Sequence, residues 1–196
     1  MNKPYHHGNL RAALLDAARA RLAEAAEADL SLRDLAARVG VSVNATYRHF
    51  DSKEALLMEL AALGFEALRA GLEAAIAAAP QASAGERLQV AGEAYTTFAR
   101  RDPALFRLMF GRQGRFDEHP RFRECAGAAF RVLVDCVAAV RGEAPDSPGV
   151  AKAAVAAWSL VHGYAILGEQ GHLQALPPTQ QPSAREVAAM LDVKAC

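Results

Sequence analysis

The chain has 196 residues, of which 52% are hydrophobic and 22% are charged, a composition typical of a globular protein with a sizeable core. Lys plus Arg equals Asp plus Glu, 22 of each, so no overall field draws the chain to nucleic acid or to an anionic membrane. The first 53 residues carry eight Lys/Arg against six Asp/Glu. This mild excess permits nucleic-acid binding at that end without indicating it.

The three cysteines, Cys125, Cys136 and Cys196, have no metal-ligand spacing and cannot all pair. Cys125 and Cys136 are predicted on one helix, roughly 16 Å apart along its axis, which is too far for a disulfide. Cysteines that are not expected to form disulfides fit a protein in a reducing compartment best. The N-terminus has no signal-peptide core, and no stretch approaches 18 uninterrupted apolar residues. We therefore expect a cytoplasmic protein with no membrane partner.

Almost the whole chain is predicted to be helical, because alanine is abundant and apolar residues recur at intervals of three and four. A first helix begins after Gly8 or Asn9 and runs to about residue 26. Its predicted inner face consists of Leu10, Leu14, Ala17 and Leu22. Ser31 is predicted to cap a second helix, with Asp34 at the capping-box position, and Gly40 ends that helix.

The later helices are separated by clear breaks. Ser42 caps a third helix over residues 43–49, and Asp51 or Ser52 caps a fourth that continues to about residue 78. AAAPQASAG, GRQGRFDEHP and a proline-rich connector are predicted to be loops. The remaining predicted helices are 84–100, a short one opened by Pro103, 121–143, 149–169 and 183–194.

Residues 31–50, SLRDLAARVGVSVNATYRHF, make two short helices joined by a three-residue turn, which is helix-turn-helix spacing. Ala36 is small where the helices cross, Gly40 makes the turn, and Phe50 closes the unit. The second helix has one exposed face, formed by Val43, Asn44, Tyr47 and Arg48. A helix of this size fits the major groove of DNA. The polar face therefore predicts a helix that recognises DNA through the major groove.

Three alternatives stay open within this helix. Tyr47 could cap the core, His49 could be a structural hydrogen-bonding residue, and Arg48 could be an ordinary solvated charge. Thr46 is predicted to face inward, and its hydroxyl is expected to bond the carbonyl three or four residues earlier.

With the flanking YHHGNL and DSKEALL, this stretch resembles the N-terminal domain of TetR-type transcriptional regulators over residues 5–70. AWSLVHGYAIL, with Trp158, His162 and Gly163, is similar to a subgroup whose C-terminal domain is named for a Trp/His/Gly (WHG) signature. The resemblance implies an all-α fold with a helix-turn-helix domain at 1–55. A long helix then leads into a regulatory and dimerisation domain at 56–196.

The resemblance also implies a function. It predicts a ligand-responsive repressor that binds a palindromic operator on double-stranded DNA as a homodimer and is released by a small-molecule effector. The DNA-binding positions that it implies are Ser31, Arg33, Ser42, Val43, Asn44, Ala45, Tyr47, Arg48, His49 and Lys53. Asn44 could pair with adenine and Arg48 with guanine, whereas Tyr47, His49 and Lys53 match phosphate-contacting positions. Many relatives have Gly, Thr and Leu at 44–46, so no operator sequence is carried over.

The C-terminal half holds the candidate effector residues, aromatic or polarizable side chains that suit an apolar cavity. They are Tyr95, Phe98, Phe106, Met109, Phe110, Phe130, Trp158 and His162. His162 follows Trp158 by four residues on one helical face, although each of these residues could equally belong to a core. An alanine-rich helix at 149–169, together with 183–194, is the predicted dimer interface. Its small residues are Ala151, Ala153, Ala154, Ala156 and Ala157.

Other classes of protein are less well supported. The chain has no Gly-rich phosphate loop, HExxH or GxSxG motif, and its histidines show no i,i+4 pair, so we expect no enzyme, cofactor or metal site. A helical sensing or adaptor protein without sequence-specific DNA binding is the main alternative. A metal or redox sensor on Cys125 and Cys136 is the third. His6 and His7, beside Lys3, could instead form an arm that touches DNA.

Overall fold

The structure is a computed structural model that describes residues 10–24, 27–111, 119–190 and 193. These residues form helices joined by short turns, with no β-strand among them, so the prediction of an all-α fold is confirmed. The helices are α1 (Leu10–Glu24), α2 (Leu32–Val39), α3 (Val43–Tyr47), α4 (Lys53–Ala77), α5 (Ala84–Arg101), α6 (Pro103–Gly111), α7 (Pro120–Arg141), α8 (Pro148–Glu169) and α9 (Ala184–Ala189). Single 3-10 turns cover Glu27–Asp29, His172–Ala175 and Pro178–Gln180.

The chain divides into two compact units. We name the units after the functions that the resemblance predicts: the DNA-binding unit contains the chain up to Gly64 together with Ala104–Arg123, and the regulatory unit contains Phe65–Pro103 and the chain from Glu124 onward. Two continuous helices cross the division, α4 between residues 64 and 65 and α7 between residues 123 and 124. The functional boundary predicted between residues 55 and 56 stays a prediction.

Short-range capping fixes the helix starts where the sequence predicted them. The Ser31 Oγ accepts from the Asp34 N–H at 3.1 Å, and the Ser42 Oγ accepts from the Ala45 N–H at 3.2 Å. Gly40 ends α2 at φ 76°, a left-handed conformation that favours glycine. Ser52 rather than Asp51 caps α4, because its Oγ accepts from the Ala55 N–H at 3.0 Å.

The carboxylate of Asp34 does not complete a capping box. It lies 3.4 Å from Arg21 Nε and 3.3 Å from Arg38 Nε, while Arg38 Nη2 also pairs with Glu24 at 2.8 Å. This network ties α1 to α2, so Asp34 serves the contact between the helices instead of the cap.

The inner face of α1 differs from the prediction. The buried residues are Leu14, Leu15, Ala18 and Leu22, whereas Leu10 and Ala17 are only half-buried. Ala17 and Ala18 fit the spacing rule about equally well, and only the packing against neighbouring helices chooses between them. The predicted N-caps of α1, Gly8 and Asn9, lie outside the described residues, as do His6, His7 and residues 112–118.

Thr46 faces inward as predicted, but the expectation for its hydroxyl is wrong. The residue is fully buried, and its Oγ1 makes no hydrogen bond among the described residues. Its backbone carbonyl accepts from the N–H groups of His49 and Phe50, at 3.0 and 3.1 Å. α3 ends at Tyr47, two residues before the predicted end.

The regulatory unit has a core in which helices pack through small residues. Its buried cluster consists of Val134, Val137, Ala138, Val150, Ala153, Ala154, Ala157 and Val193. Three of the five alanines predicted to face a second copy, Ala153, Ala154 and Ala157, are therefore buried within the chain, which corrects that part of the prediction. Within the described part of the last predicted helix, Ala184–Ala189 is helical.

By length and composition alone, one described helix, α8, is apolar enough to cross a membrane, but core helices of soluble proteins pass the same test. Cys125 and Cys136 lie on α7 and form no disulfide among the described residues, and Cys196 lies outside these residues. The Cys125 thiol donates to Glu66 Oε1 at 3.4 Å, and burial raises the pKa of the Cys136 thiol. No group of three His, Cys, Asp or Glu that could hold a metal ion occurs in the described part of the chain.

Candidate nucleic-acid interface and regulatory site

The helix-turn-helix presents a polar surface on α3 and the residues that follow it. Asn44, Tyr47, Arg48 and His49 are exposed, and Tyr47 keeps 51% of its surface open to solvent. Tyr47 is therefore not a cap on the core. Asn44, Tyr47 and Arg48 are spaced i, i+3, i+4, so they share one helical face. An exposed tyrosine beside a guanidinium and an amide is a surface suited to base edges and phosphates.

The two capping serines flank this surface. Ser31 and Ser42 are exposed, and each hydroxyl oxygen accepts a backbone N–H at its helix start. A hydroxyl that accepts at a cap can still donate its own proton to a phosphate. Arg33 is exposed on the first turn of α2, while Val43 and Ala45 are half-buried.

Lys53 is held more firmly than the sequence indicates. Its Nζ donates to the backbone carbonyl of Glu27 at 2.7 Å, which joins the first residue of α4 to the 3-10 turn before α2. An ammonium has three donors, so this bond does not prevent a phosphate contact, but it fixes where the charge lies. No sequence signal indicates this bond, because a lysine that reaches a carbonyl 26 positions away depends on packing.

The regulatory unit contains a hydrogen-bonded aromatic cluster that we call the Tyr95 cluster, consisting of Tyr95, Phe130, Trp158 and His162. Trp158 Nε1 donates to the Tyr95 oxygen at 3.3 Å, and the Tyr95 hydroxyl lies 2.7 Å from His162 Nδ1. The Trp158 ring also meets Phe130 edge-on, with centroids 5.7 Å apart. Trp158 and His162, which were predicted to share one helical face, thus both form hydrogen bonds with a third residue, Tyr95 on α5.

The side chains of the Tyr95 cluster are uncharged near neutral pH. Because the indole N–H can only donate, the Tyr95 oxygen accepts from it, while the direction of the Tyr95–His162 hydrogen bond follows the tautomer of the imidazole. Burial raises the pKa of Tyr95 well above its usual range, so the hydroxyl keeps its proton. Burial also lowers the pKa of His162, which favours the uncharged imidazole.

The other predicted effector residues do not all join this cluster. Phe98 is buried on α5, in the same unit. Phe106, Met109 and Phe110 lie on α6 and belong to the DNA-binding unit, where the rings of Phe106 and Phe110 are 4.8 Å apart. The eight residues are therefore divided between two units.

Comparison with known proteins identifies both parts of the chain. A family model for the tetracyclin repressor-like C-terminal domain matches residues 88–191, and one for bacterial regulatory proteins of the tetR family matches residues 14–60. Comparison with curated proteins gave no match.

Solved structures share the fold over nearly the whole chain. A protein of unknown function from Rhodococcus sp. RHA1 is 34% identical, covers 95% of this chain and 93% of its own, and has a TM-score of 0.78. The TetR family regulator PfmR from Thermus thermophilus is 24% identical, with coverages of 90% and 92% and a TM-score of 0.60. The ketosteroid transcriptional regulator KstR2 of Mycobacterium tuberculosis is 22% identical, with coverages of 93% and 91% and a TM-score of 0.57.

A regulator's helix-turn-helix and a matching C-terminal domain on one chain indicate a ligand-responsive, DNA-binding transcription factor and not an enzyme. The chain belongs to the TetR family of bacterial transcriptional regulators.

Proposed function

We propose that the protein is a cytoplasmic repressor that binds a palindromic operator as a homodimer and leaves it when a small-molecule effector binds the regulatory unit. The observation that carries the proposal is the exposed face of Asn44, Tyr47 and Arg48 on a helix whose opposite side is buried. The three polar side chains occupy the face and spacing by which a recognition helix contacts base edges in the major groove.

The contacts with DNA follow from this geometry. Asn44 and Arg48 read base edges, Tyr47, His49 and Lys53 contact phosphates, and the Ser31 and Ser42 hydroxyls do so from helix starts. Arg33 reaches the same groove from α2, with Val43 and Ala45 as apolar contacts. One such unit covers a single half-site, so two copies are needed for a palindrome.

The second copy packs against the solvent-facing side of α8 and the chain near α9. Val155, Leu167 and Met190 are 52%, 45% and 85% exposed, although all three are apolar. Exposed large apolar residues on a helix and the segment packed beside it support an interface. Two facing copies of α8 and α9 would form a four-helix contact.

The effector binds at the Tyr95 cluster, together with Phe98 on the same helix as Tyr95. The rings offer apolar and stacking surface, and the Trp158–Tyr95–His162 hydrogen bonds offer polar recognition without a net charge. These features favour an uncharged, largely apolar effector. Trp158, His162 and Gly163 lie in the matched C-terminal region and support the WHG subgroup.

Release from DNA is a shift between two populations of the dimer. In one state the two recognition helices match the half-site spacing, and in the other they do not. An effector that binds the second state more tightly, by about 1–3 kcal/mol or more, weakens operator binding by the same free energy. α4 runs through both units without a break, so it is the natural lever for this change.

The test is selection from random double-stranded DNA, followed by fluorescence anisotropy of the selected duplex and a scrambled one. We expect Tyr47→Ala to abolish binding to the selected duplex and Asn44→Ala to relax preference at one base pair by about 1–3 kcal/mol. Arg131→Ala, an exposed arginine in the regulatory unit, is the matched control and should bind as the wild type. If selection enriches no sequence, the protein is a sensing module without specific DNA binding.

A further inference from the structure

Three helices of the DNA-binding unit meet at one carboxylate, which we call the Glu59 clamp. Arg11 on α1 lies 3.0 Å from Glu59 Oε1 on α4, and Arg121 on α7 donates from Nη1 to the same oxygen. The Glu59 side chain is only 11% exposed, whereas those of Arg11 and Arg121 are 44% and 46% exposed. Two guanidinium groups thus share one nearly buried acceptor.

The clamp continues into the recognition helix. The Arg11 guanidinium lies over the ring of Phe50, 5.1 Å from its centroid, and Phe50 is 4% exposed. The Phe50 N–H then donates to the carbonyl of Thr46, on α3, at 3.1 Å. A contiguous set of contacts therefore runs from α7 through α4 and α1 to the end of the helix that faces DNA.

The α7 end of this set belongs to a helix shared with the regulatory unit. α7 is continuous from Pro120 to Arg141, and its residues from Glu124 onward belong to that unit. Arg121 is therefore part of a helix that the DNA-binding unit shares with the regulatory unit, and its contact with Glu59 joins that helix to α4.

We propose that Arg121 is a positioning residue for DNA binding: through Glu59 and Arg11 it holds the recognition helix in the orientation that fits a half-site. The proposal rests on the proposed function and adds a named connection between α7 and DNA. When the ion pair between Arg121 and Glu59 breaks, α1 and the end of α3 are no longer held in a fixed orientation. Operator binding then has to restore that order, which weakens affinity.

The clamp can break without unfolding the protein. Ion pairs of half-exposed arginines contribute little to stability, and Glu59 keeps Arg11 when Arg121 is removed, so no buried charge is left alone. A depression of about 150 Å³, lined by Met58, Glu59, His119 and Phe122 among others, opens beside Arg121. Truncating the arginine therefore leaves no closed cavity.

The experiment is a double-mutant cycle on affinity for the selected duplex, with Arg121→Met, Glu59→Gln and both together. Each single variant should weaken binding roughly 2- to 30-fold, and the double variant should be no weaker than the worse single one. Arg121→Lys should recover part of the affinity, because it keeps the charge. Arg69→Met, which removes an exposed pair with Glu73 on α4, is the control and should bind as the wild type.

A second measurement needs no DNA. Hydrogen exchange at the amides of residues 49 and 50, which donate to the Thr46 carbonyl, should become faster in Arg121→Met and Glu59→Gln but not in Arg69→Met. Urea unfolding should show all variants folded, with unchanged cooperativity.

Three outcomes overturn the inference. The first is wild-type affinity and exchange in Arg121→Met, and the second is full additivity of the two single effects. The third is a salt slope smaller by about one, which would mean that Arg121 contacts a phosphate directly. If the wild type selects no DNA, the proposed function fails on its own, and the exchange data still decide whether the clamp orders the recognition helix.

Discussion

At the residue scale, Thr46 is a weak point in the core of the DNA-binding unit. Its hydroxyl is fully buried and unpaired among the described residues, so the folded state loses a hydrogen bond that water supplies to the unfolded chain. Thr46→Val keeps the shape and should raise the free energy of unfolding by about 1–2 kcal/mol. Urea denaturation measures this change.

Thr96 supplies the matched control, because it is equally buried but its Oγ1 donates to the Glu93 carbonyl at 3.0 Å. Thr96→Val should leave stability unchanged or lower it. Equal effects of the two substitutions would show that the Thr46 hydroxyl has a partner in solution.

His162 makes stability depend on pH. Burial lowers the pKa of His162 in the folded protein, so the unfolded chain binds the proton more readily. The free energy of unfolding should therefore fall as the pH drops from about 7 toward 5, through and below the ordinary pKa of histidine. His162→Gln should flatten part of this dependence, measured by denaturation at several pH values.

The control for the pH series is His172→Gln, since His172 is exposed. It should leave the wild-type profile intact. A His162→Gln profile that parallels the wild type would mean that the imidazole titrates equally in both states.

At the element scale, alanine substitutions at two glycines of α4 distinguish the effect of side-chain packing on stability from the effect of helix propensity. A Cβ at Gly64 would lie 2.6 Å from Met109 Sδ and 3.2 Å from Leu105 Cδ1, because α4 and α6 approach closely there. Gly64→Ala should therefore destabilise the protein by about 1–3 kcal/mol, despite the better helix propensity of alanine.

Gly71 lies on the same helix, is exposed, and has nothing within 4 Å of a Cβ. Gly71→Ala should raise the free energy of unfolding by up to about 1 kcal/mol. Thermal and urea unfolding of the two variants provide the comparison. If both alanines stabilise, the contact between α4 and α6 is looser than the structure shows.

At the scale of the whole molecule, the exposed apolar side of α8 is the proposed dimer interface and can be tested directly. Val155→Arg places a charge in the proposed interface, where it would be buried without a partner, so the dimer should dissociate. Sedimentation equilibrium should show a monomer, and operator affinity should fall because one half-site is lost.

Ala70→Arg, at an exposed position of α4, is the control and should remain dimeric. A dimeric Val155→Arg variant would place the interface elsewhere on the chain.

Much of the fold could be predicted from local patterns. Serines before helices, glycine at Gly40 and apolar spacing of three and four predicted most helices within a few residues, because caps and helical hydrogen bonds join groups three to five positions apart. The same patterns could not choose between Ala17 and Ala18 in α1, nor foresee that Ala153, Ala154 and Ala157 face inward. Those choices depend on which helix lies alongside.

Local sequence was enough for the fold class, the helix-turn-helix and the polar face of Asn44, Tyr47 and Arg48, since each of these depends on residues close together in the chain. The packed structure was needed to show that Tyr95 joins Trp158 to His162, and that Glu59 is shared by Arg11 and Arg121, which is 62 positions away. Such contacts depend on the register and rotation of packed helices. Spacing along one helix fixes which side chains share a face, but not which side chains they meet.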